Sequence, residues 1–82
     1  MSRPRDTSRY ALRDGRDLVG YGATDDPDGR LQEHQRNHRK PNLTMTIVGP
    51  AVTRESALAW ERAQIEQYCR NHGGKKPRYN KV

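Results

Sequence analysis

The chain has 82 residues, of which 30% are hydrophobic and 32% charged, and it carries a net charge of +6. This fits one small domain with a thin core, whose stability calls for help from a second copy or a protein partner. Cys69 is the single cysteine, which excludes an intrachain disulfide framework and a zinc quartet; no apolar run is long enough for a membrane span.

No signal-peptide core follows Met1, and a reducing cytoplasm is the expected location. The excess of positive charge calls for an anionic partner, nucleic acid first. Residues 1–9 carry Arg3, Arg5 and Arg9 beside Pro4 with no apolar pattern. They read as a basic arm, either touching phosphates or fraying. The domain proper is expected over residues 10–80, with 81–82 as its end.

Two short strand-like runs, residues 10–12 and 18–22, flank Asp14-Gly15. Asp-Gly between such runs signals a tight hairpin. Alternation puts Tyr10 and Leu12 on one face of the first strand. On the second, Leu18, Gly20 and Gly22 share a face, with Val19 and Tyr21 on the other. The two glycines mark either a bulge or a floor on which a substrate sits.

A helix is expected over residues 27–38, with Asp26 as its N-cap and Pro27 in the first turn. Leu31 is its only large aliphatic residue, so part of its inward side must be polar. Arg30 and His34 lie four apart on one face, and His38 follows one turn later. His34 and His38 make an HxxxH pair, which lacks a third ligand in register and does not fit HExxH. Arg36, Arg39 and Lys40 form a basic end that suits the helix dipole or a phosphate backbone.

Pro41 stops this helix. Residues 42–48 then alternate Leu43, Met45 and Ile47 against polar or β-branched neighbours, the pattern of a half-buried strand. Gly49-Pro50 ends it.

A second helix is expected from the N-cap Thr53 to about His72. Its inward stripe reads Leu58, Ile65, Tyr68 and Cys69, with Ala57 at the margin. Glu61 falls inside that stripe. A carboxylate facing a core is costly unless it is paired or bound to a cation. Glu61 is therefore either salt-bridged, for instance to Arg30, or a metal ligand or catalytic carboxylate.

Gly73-Gly74 supplies a helix stop. The tail carries Lys75, Lys76 and Arg78 with Tyr79 and Asn80 interleaved. It suits phosphate contact and base stacking, or it is a solvated tail. No GxxxxGK loop and no nucleophile elbow occur, and neither Ser8 nor Ser56 has an activating context.

The expected fold class is α+β: a small three-stranded antiparallel sheet flanked by two helices, in the order β-β-α-β-α. Tyr10, Arg30, His34 and Glu61 come from three elements and can converge at one edge of the sheet.

From Tyr10 to Asn80, this ordered set resembles the GIY-YIG nuclease superfamily, in particular its small stand-alone bacterial and phage members. The resemblance rests on the aromatic first strand, Gly22, the segment TDDPDGRLQEH, Glu61 within AWERAQIEQY, and the closing HGGKKPRYN. It implies that Tyr10 acts as a general base or in the relay that activates water. Arg30 would hold the phosphate, and His34 would assist proton transfer. Glu61 would bind a single magnesium or manganese ion, and Asn80 would support the site. Tyr21, Arg36, Arg39, Lys40, Lys75, Lys76 and Arg78 are the expected nucleic-acid contacts. A free tyrosine has a pKa of about 10 and is a poor base at neutral pH. Arg30, the metal and His34 are the groups expected to lower it.

The chain departs from the family pattern twice. The first signature reads Ser8-Arg9-Tyr10, without its glycine and isoleucine. The second reads Gly20-Tyr21-Gly22, with Gly20 where the usual tyrosine stands. The implied function is a metal-dependent endonuclease or nickase acting on nucleic acid, DNA first. The alternative is a non-cleaving nucleic-acid-binding module on the same fold.

Overall fold

The computed structural model describes residues 5–80. Five elements follow in order: β1 (Ser8–Asp14), β2 (Asp17–Thr24), α1 (Pro27–Asn37), β3 (Leu43–Ile47) and α2 (Arg54–Asn71). The strands form one antiparallel sheet in the order β2-β1-β3. The α+β class and element order agree with the sequence reading. Among the described residues, no helix is long and apolar enough to cross a membrane.

The first strand begins earlier than expected. Ser8 and Arg9, assigned from sequence to a basic arm, belong to β1. Thr7 and Val52 exchange two backbone hydrogen bonds, of 3.0 and 2.8 Å. The Arg9 guanidinium lies 6.0 Å from the centre of the Trp60 ring, a cation–π contact. Residues 1–4 of the expected arm, and the end at 81–82, lie outside the described residues.

The hairpin turns at Gly15-Arg16, one residue later than Asp14-Gly15. Gly15 alone takes a left-handed φ, +65°, as a turn with glycine first requires. Leu12 pairs with Gly20 but Arg13 with Leu18, so Val19 is an extra residue in β2. This bulge carries Val19 into the core with Tyr10, Leu12 and Leu43. Simple alternation had put Val19 on the other face. Beyond the bulge alternation resumes, and Gly22 stands opposite Tyr10.

Two layers flank the sheet. On one face Leu31 of α1, Met45 and Tyr79 pack against the Tyr10–Leu12–Val19–Leu43 cluster. α1 has no buried residue, as its thin apolar content foretold. Polar bolts hold it instead: Gln35 Nε2 donates to the carbonyls of Pro41 and Leu43, at 3.2 and 3.0 Å. On the other face α2 packs through Ala57, which is fully buried, and through Trp60, whose ring meets Tyr21 edge-on at 5.7 Å.

The inward side of α2 is therefore rotated from the expected stripe. Leu58 is 45% exposed, and with Ile65 and Cys69 it lines a groove on the outer side of the helix. Ala57 lets the helix approach the sheet closely, and Trp60 covers more apolar area than Leu58 could. These two set the rotation.

The tail is docked at its end. Pro77 is fully buried, and the Tyr79 N–H donates to the Val19 carbonyl at 2.7 Å. The Asn80 amide pairs with the backbone of Tyr21: Oδ1 accepts from Tyr21 N–H at 2.9 Å, and Nδ2 donates to the Tyr21 carbonyl at 3.0 Å. Residues 79 and 80 thus cover the open edge of β2, which would otherwise expose unpaired backbone groups.

Candidate active site

β1 presents Tyr10 to the α1 side of the sheet. Tyr10 is almost completely buried, and its hydroxyl lies 3.0 Å from His34 Nε2. The two rings meet edge-on, with centroids 5.9 Å apart. Gly22 makes room for the phenol, because a Cβ at that position would overlap Tyr10 Cζ and the hydroxyl oxygen.

α1 brings His34 to this point. The Asp26 side chain accepts from Gly29 N–H at 3.2 Å and sets the helix start. Thr24 Oγ1 accepts from the Asp26 N–H at 3.1 Å and fixes the approach from β2. Arg30 stands one turn before His34 and pairs with Glu33 at 3.3 Å on an exposed surface.

Burial, with help from the Arg30 charge and His38, holds the His34 pKa below the ordinary histidine value of 6.5. At neutral pH His34 is uncharged, so Nε2 accepts and the Tyr10 hydroxyl donates. Burial also pushes the Tyr10 pKa up to about 12, against the pull of Arg30 and with Glu61 and Glu33 adding to the rise. The expectation that Arg30 and His34 lower it is therefore corrected. Loss of hydration outweighs one neighbouring cation.

Glu61 reaches the same centre from α2. It is half-buried, and burial raises its pKa above the ordinary value of 4.5 while Arg30 pulls it down. Among the described residues, the Glu61 carboxylate makes no hydrogen bond or ion pair. The expected salt bridge to Arg30 is not formed, since Arg30 pairs with Glu33. Tyr10, Arg30, His34 and Glu61 are thus one electrostatic group.

The other expected residues lie elsewhere. Asn80 is bound to the Tyr21 backbone and covers Gly20, where a Cβ would stand 3.3 Å from Asn80 Oδ1. The Tyr21 ring stays on the α2 face; the bulge does not bring it back. Tyr79, expected to be free for base stacking, stacks on His38 with ring centroids 3.7 Å apart. With His34 Nε2 taken by Tyr10 and His38 under Tyr79, the HxxxH pair is occupied within the fold. Among the described residues, no group of three His, Cys, Asp or Glu side chains can hold a metal.

Of the expected nucleic-acid contacts, Arg36, Arg39 and Lys40 sit at the far end of α1. Lys40 lies 3.7 Å from Asp14, and Arg39 adopts a left-handed φ of 53°. Lys75 and Lys76 are exposed. Arg78 and Tyr21 line one cavity together with Tyr68 and His72. The Tyr68–His72 stack, with centroids 3.7 Å apart, escaped the sequence reading. Its signal was two rings four residues apart at a helix end.

Comparison with known proteins finds no matching family model, no similar curated protein and no similar solved structure.

Proposed function

We propose that this chain is a metal-dependent endonuclease or nickase that hydrolyses nucleic-acid phosphodiester bonds, DNA first. The observation that carries the reading is the Tyr10–His34 contact of 3.0 Å beside Arg30 and an unpaired, half-buried Glu61. The resemblance to the GIY-YIG superfamily names the same four residues.

The Glu61 carboxylate fits magnesium. It offers a hard oxygen with no competing protein partner, and magnesium takes most of its ligands from water and substrate phosphate. When bound, the ion supplies Lewis-acid polarisation of a phosphate oxygen.

The chain's own residues account for the rest. Tyr10 is a phenol at neutral pH, so it passes a proton and does not rest as a base. Water attacking phosphorus gives its proton to the Tyr10 oxygen as the Tyr10 proton moves to neutral His34 Nε2. The P–O bond to the leaving oxygen then breaks. Arg30 offers a fixed cation to the charge growing on the phosphoryl oxygens.

A second reading, a non-cleaving nucleic-acid-binding module, draws on Gly20. No second phenol stands where the family pattern has one, and the Asn80 side chain occupies that space.

A nicking assay on supercoiled plasmid and branched DNA, in magnesium, manganese or chelator, separates the two. Metal-dependent cleavage by the parent and none by Glu61→Ala supports the nuclease. Tight binding without cleavage by either protein supports the module and overturns the nuclease.

A further inference from the structure

The face of the sheet away from Tyr10 carries a second cavity, of about 560 Å³. It lies between the hairpin turn and the C-terminal half of α2, and it is open to solvent. Its volume falls in the range of about 300–1,000 Å³ usual for small-ligand pockets. Six of its residues matter: Arg16, Tyr21, Gln64, Tyr68, His72 and Arg78.

Their arrangement follows from the fold. His72 caps α2, and its Nδ1–H donates to the Tyr68 carbonyl at 2.8 Å. The acceptor can only be the carbonyl, so the proton sits on Nδ1 and Nε2 is left as an acceptor. That bond lays the His72 ring flat on Tyr68, with planes 6° apart. The result is a rigid aromatic platform. Tyr21, fixed edge-on against Trp60, stands on the sheet side. Arg16 comes from the hairpin turn. Arg78 comes from the tail, whose neighbours Pro77 and Tyr79 are docked. Gln64 adds an amide able to donate and to accept.

A flat π platform, an amide and two guanidinium groups around one cavity match the parts of a nucleotide. The rings suit a base, the amide suits its polar edge, and the arginines suit the flanking phosphates. Asp17, which also lines the cavity, opposes phosphate on its own side but accepts from an exocyclic amine. A base paired within a duplex cannot reach such a platform, because its faces are already stacked.

We propose that this cavity binds one unpaired nucleotide of a nucleic-acid strand, with the base on Tyr68–His72 and its phosphates between Arg16 and Arg78. The proposal rests on the reading of the chain as a nucleic-acid-binding protein. It adds a substrate class: strands with an unpaired or extruded base. The cavity opens on the face of the sheet opposite Tyr10. Substrate choice is thereby separated from chemistry.

The test is equilibrium binding of a fluorescein-labelled octathymidylate to the full chain, followed by anisotropy in chelator so that no cleavage intervenes. Tyr68→Ala and Arg78→Ala should each weaken binding about tenfold, the scale of one base–aromatic stack. Tyr68→Phe keeps the ring and should bind within about twofold of the parent. Arg54→Ala removes the same charge outside the cavity and should cost less than Arg78→Ala. A blunt duplex of the same length should compete poorly.

Equal effects of Arg54→Ala and Arg78→Ala, with Tyr68→Ala matching Tyr68→Phe, would reduce the binding to diffuse charge and overturn the proposal. So would failure of the parent to bind the oligonucleotide. Glu61→Ala separates this result from the nuclease reading: it should leave oligonucleotide binding intact. Lost binding in Glu61→Ala would put the strand at Tyr10 and overturn the cavity. Intact binding with no cleavage by the parent overturns the nuclease and leaves the cavity standing.

Discussion

Tyr10 and His34 meet across the β1–α1 interface with the phenol oxygen 3.0 Å from Nε2, and each constrains the other's protonation. Burial keeps the phenol protonated and the imidazole neutral. A donor and an acceptor are thus matched without a formal charge in the core. Tyr10→Phe removes the donor and keeps the ring. Its stability should change by about 1 kcal/mol, the net worth of one hydrogen bond. Cleavage should fall by about 100-fold or more, the scale of one positioned proton-transfer group. Thermal melts and plasmid nicking rates read the two effects separately. An unchanged nicking rate would remove Tyr10 from the relay.

His34 should set the acid limb of cleavage. Protonated His34 cannot accept from Tyr10, so activity falls as pH drops through its pKa. Because that pKa is depressed, the limb should lie below the ordinary histidine value of 6.5. Arg30→Gln removes one cause of the depression, so its limb should move up even as its rate falls. Stability follows the same group. Between the folded and ordinary pKa values the unfolded chain binds more protons, so stability rises with pH through that window. A profile of kcat/KM against pH for both proteins checks the shift. An acid limb that lies above the ordinary value in the parent would show that another group sets it.

Glu61 should trade stability for function. Its pKa is raised by burial, so between the ordinary value of 4.5 and the raised value the native state holds more protons than the unfolded one. Stability from this group therefore falls as pH rises through that window, and at neutral pH the ionised carboxylate is a burden. Glu61→Gln should raise the Tm in chelator at neutral pH. Magnesium should raise the Tm of the parent and leave that of Glu61→Gln unchanged, since only the native parent has the site. Calorimetric melts with and without magnesium decide the matter. A parent Tm indifferent to magnesium would count against Glu61 as a ligand.

Much of this architecture is legible in local sequence. Asp26-Pro27 marks the start of α1, Thr53 marks that of α2, and Leu43-Thr44-Met45 reads as a half-buried strand. What escaped depends on contacts distant in sequence. The bulge at Val19 is set by pairing with β1, and no local signal marks it. The rotation of α2 is set by Trp60 meeting Tyr21, 39 positions before it in the chain. Tyr79 reads as a free ring because its partner, His38, belongs to another element. At the candidate site, the spacing of Arg30 and His34 and the misplaced charge of Glu61 were readable. The direction of the Tyr10 pKa was not, because burial is a property of the fold.

Gly22 should tolerate no side chain. A Cβ there would overlap the Tyr10 phenol, and Tyr10 is wedged in the core with Leu12 and Leu43. Gly22→Ala should destabilise the chain by about 1–3 kcal/mol, the cost of overpacking. It should also pull the Tyr10 hydroxyl off His34 and lower the nicking rate. Denaturant melts and nicking rates test both. A Gly22→Ala protein with parental stability would mean that the phenol has somewhere else to go.

Asn80 should act on the sheet and not on the chemistry. Its amide makes two hydrogen bonds to the Tyr21 backbone, on the outer edge of β2, and none to Tyr10, His34 or Arg30. Asn80→Ala leaves that edge without both partners. The expected cost is about 1–3 kcal/mol, the net worth of two hydrogen bonds. Asn80→Asp keeps the acceptor toward Tyr21 N–H but loses the donor, so its cost should fall between parent and alanine. At a temperature where all three proteins are folded, their nicking rates should agree within a few-fold, in contrast to Glu61→Ala. Hydrogen exchange at the Tyr21 amide should speed up in Asn80→Ala, because its bond to Oδ1 is gone. A rate loss in Asn80→Ala as deep as in Glu61→Ala, with Tm unchanged, would place this side chain in the catalytic group after all.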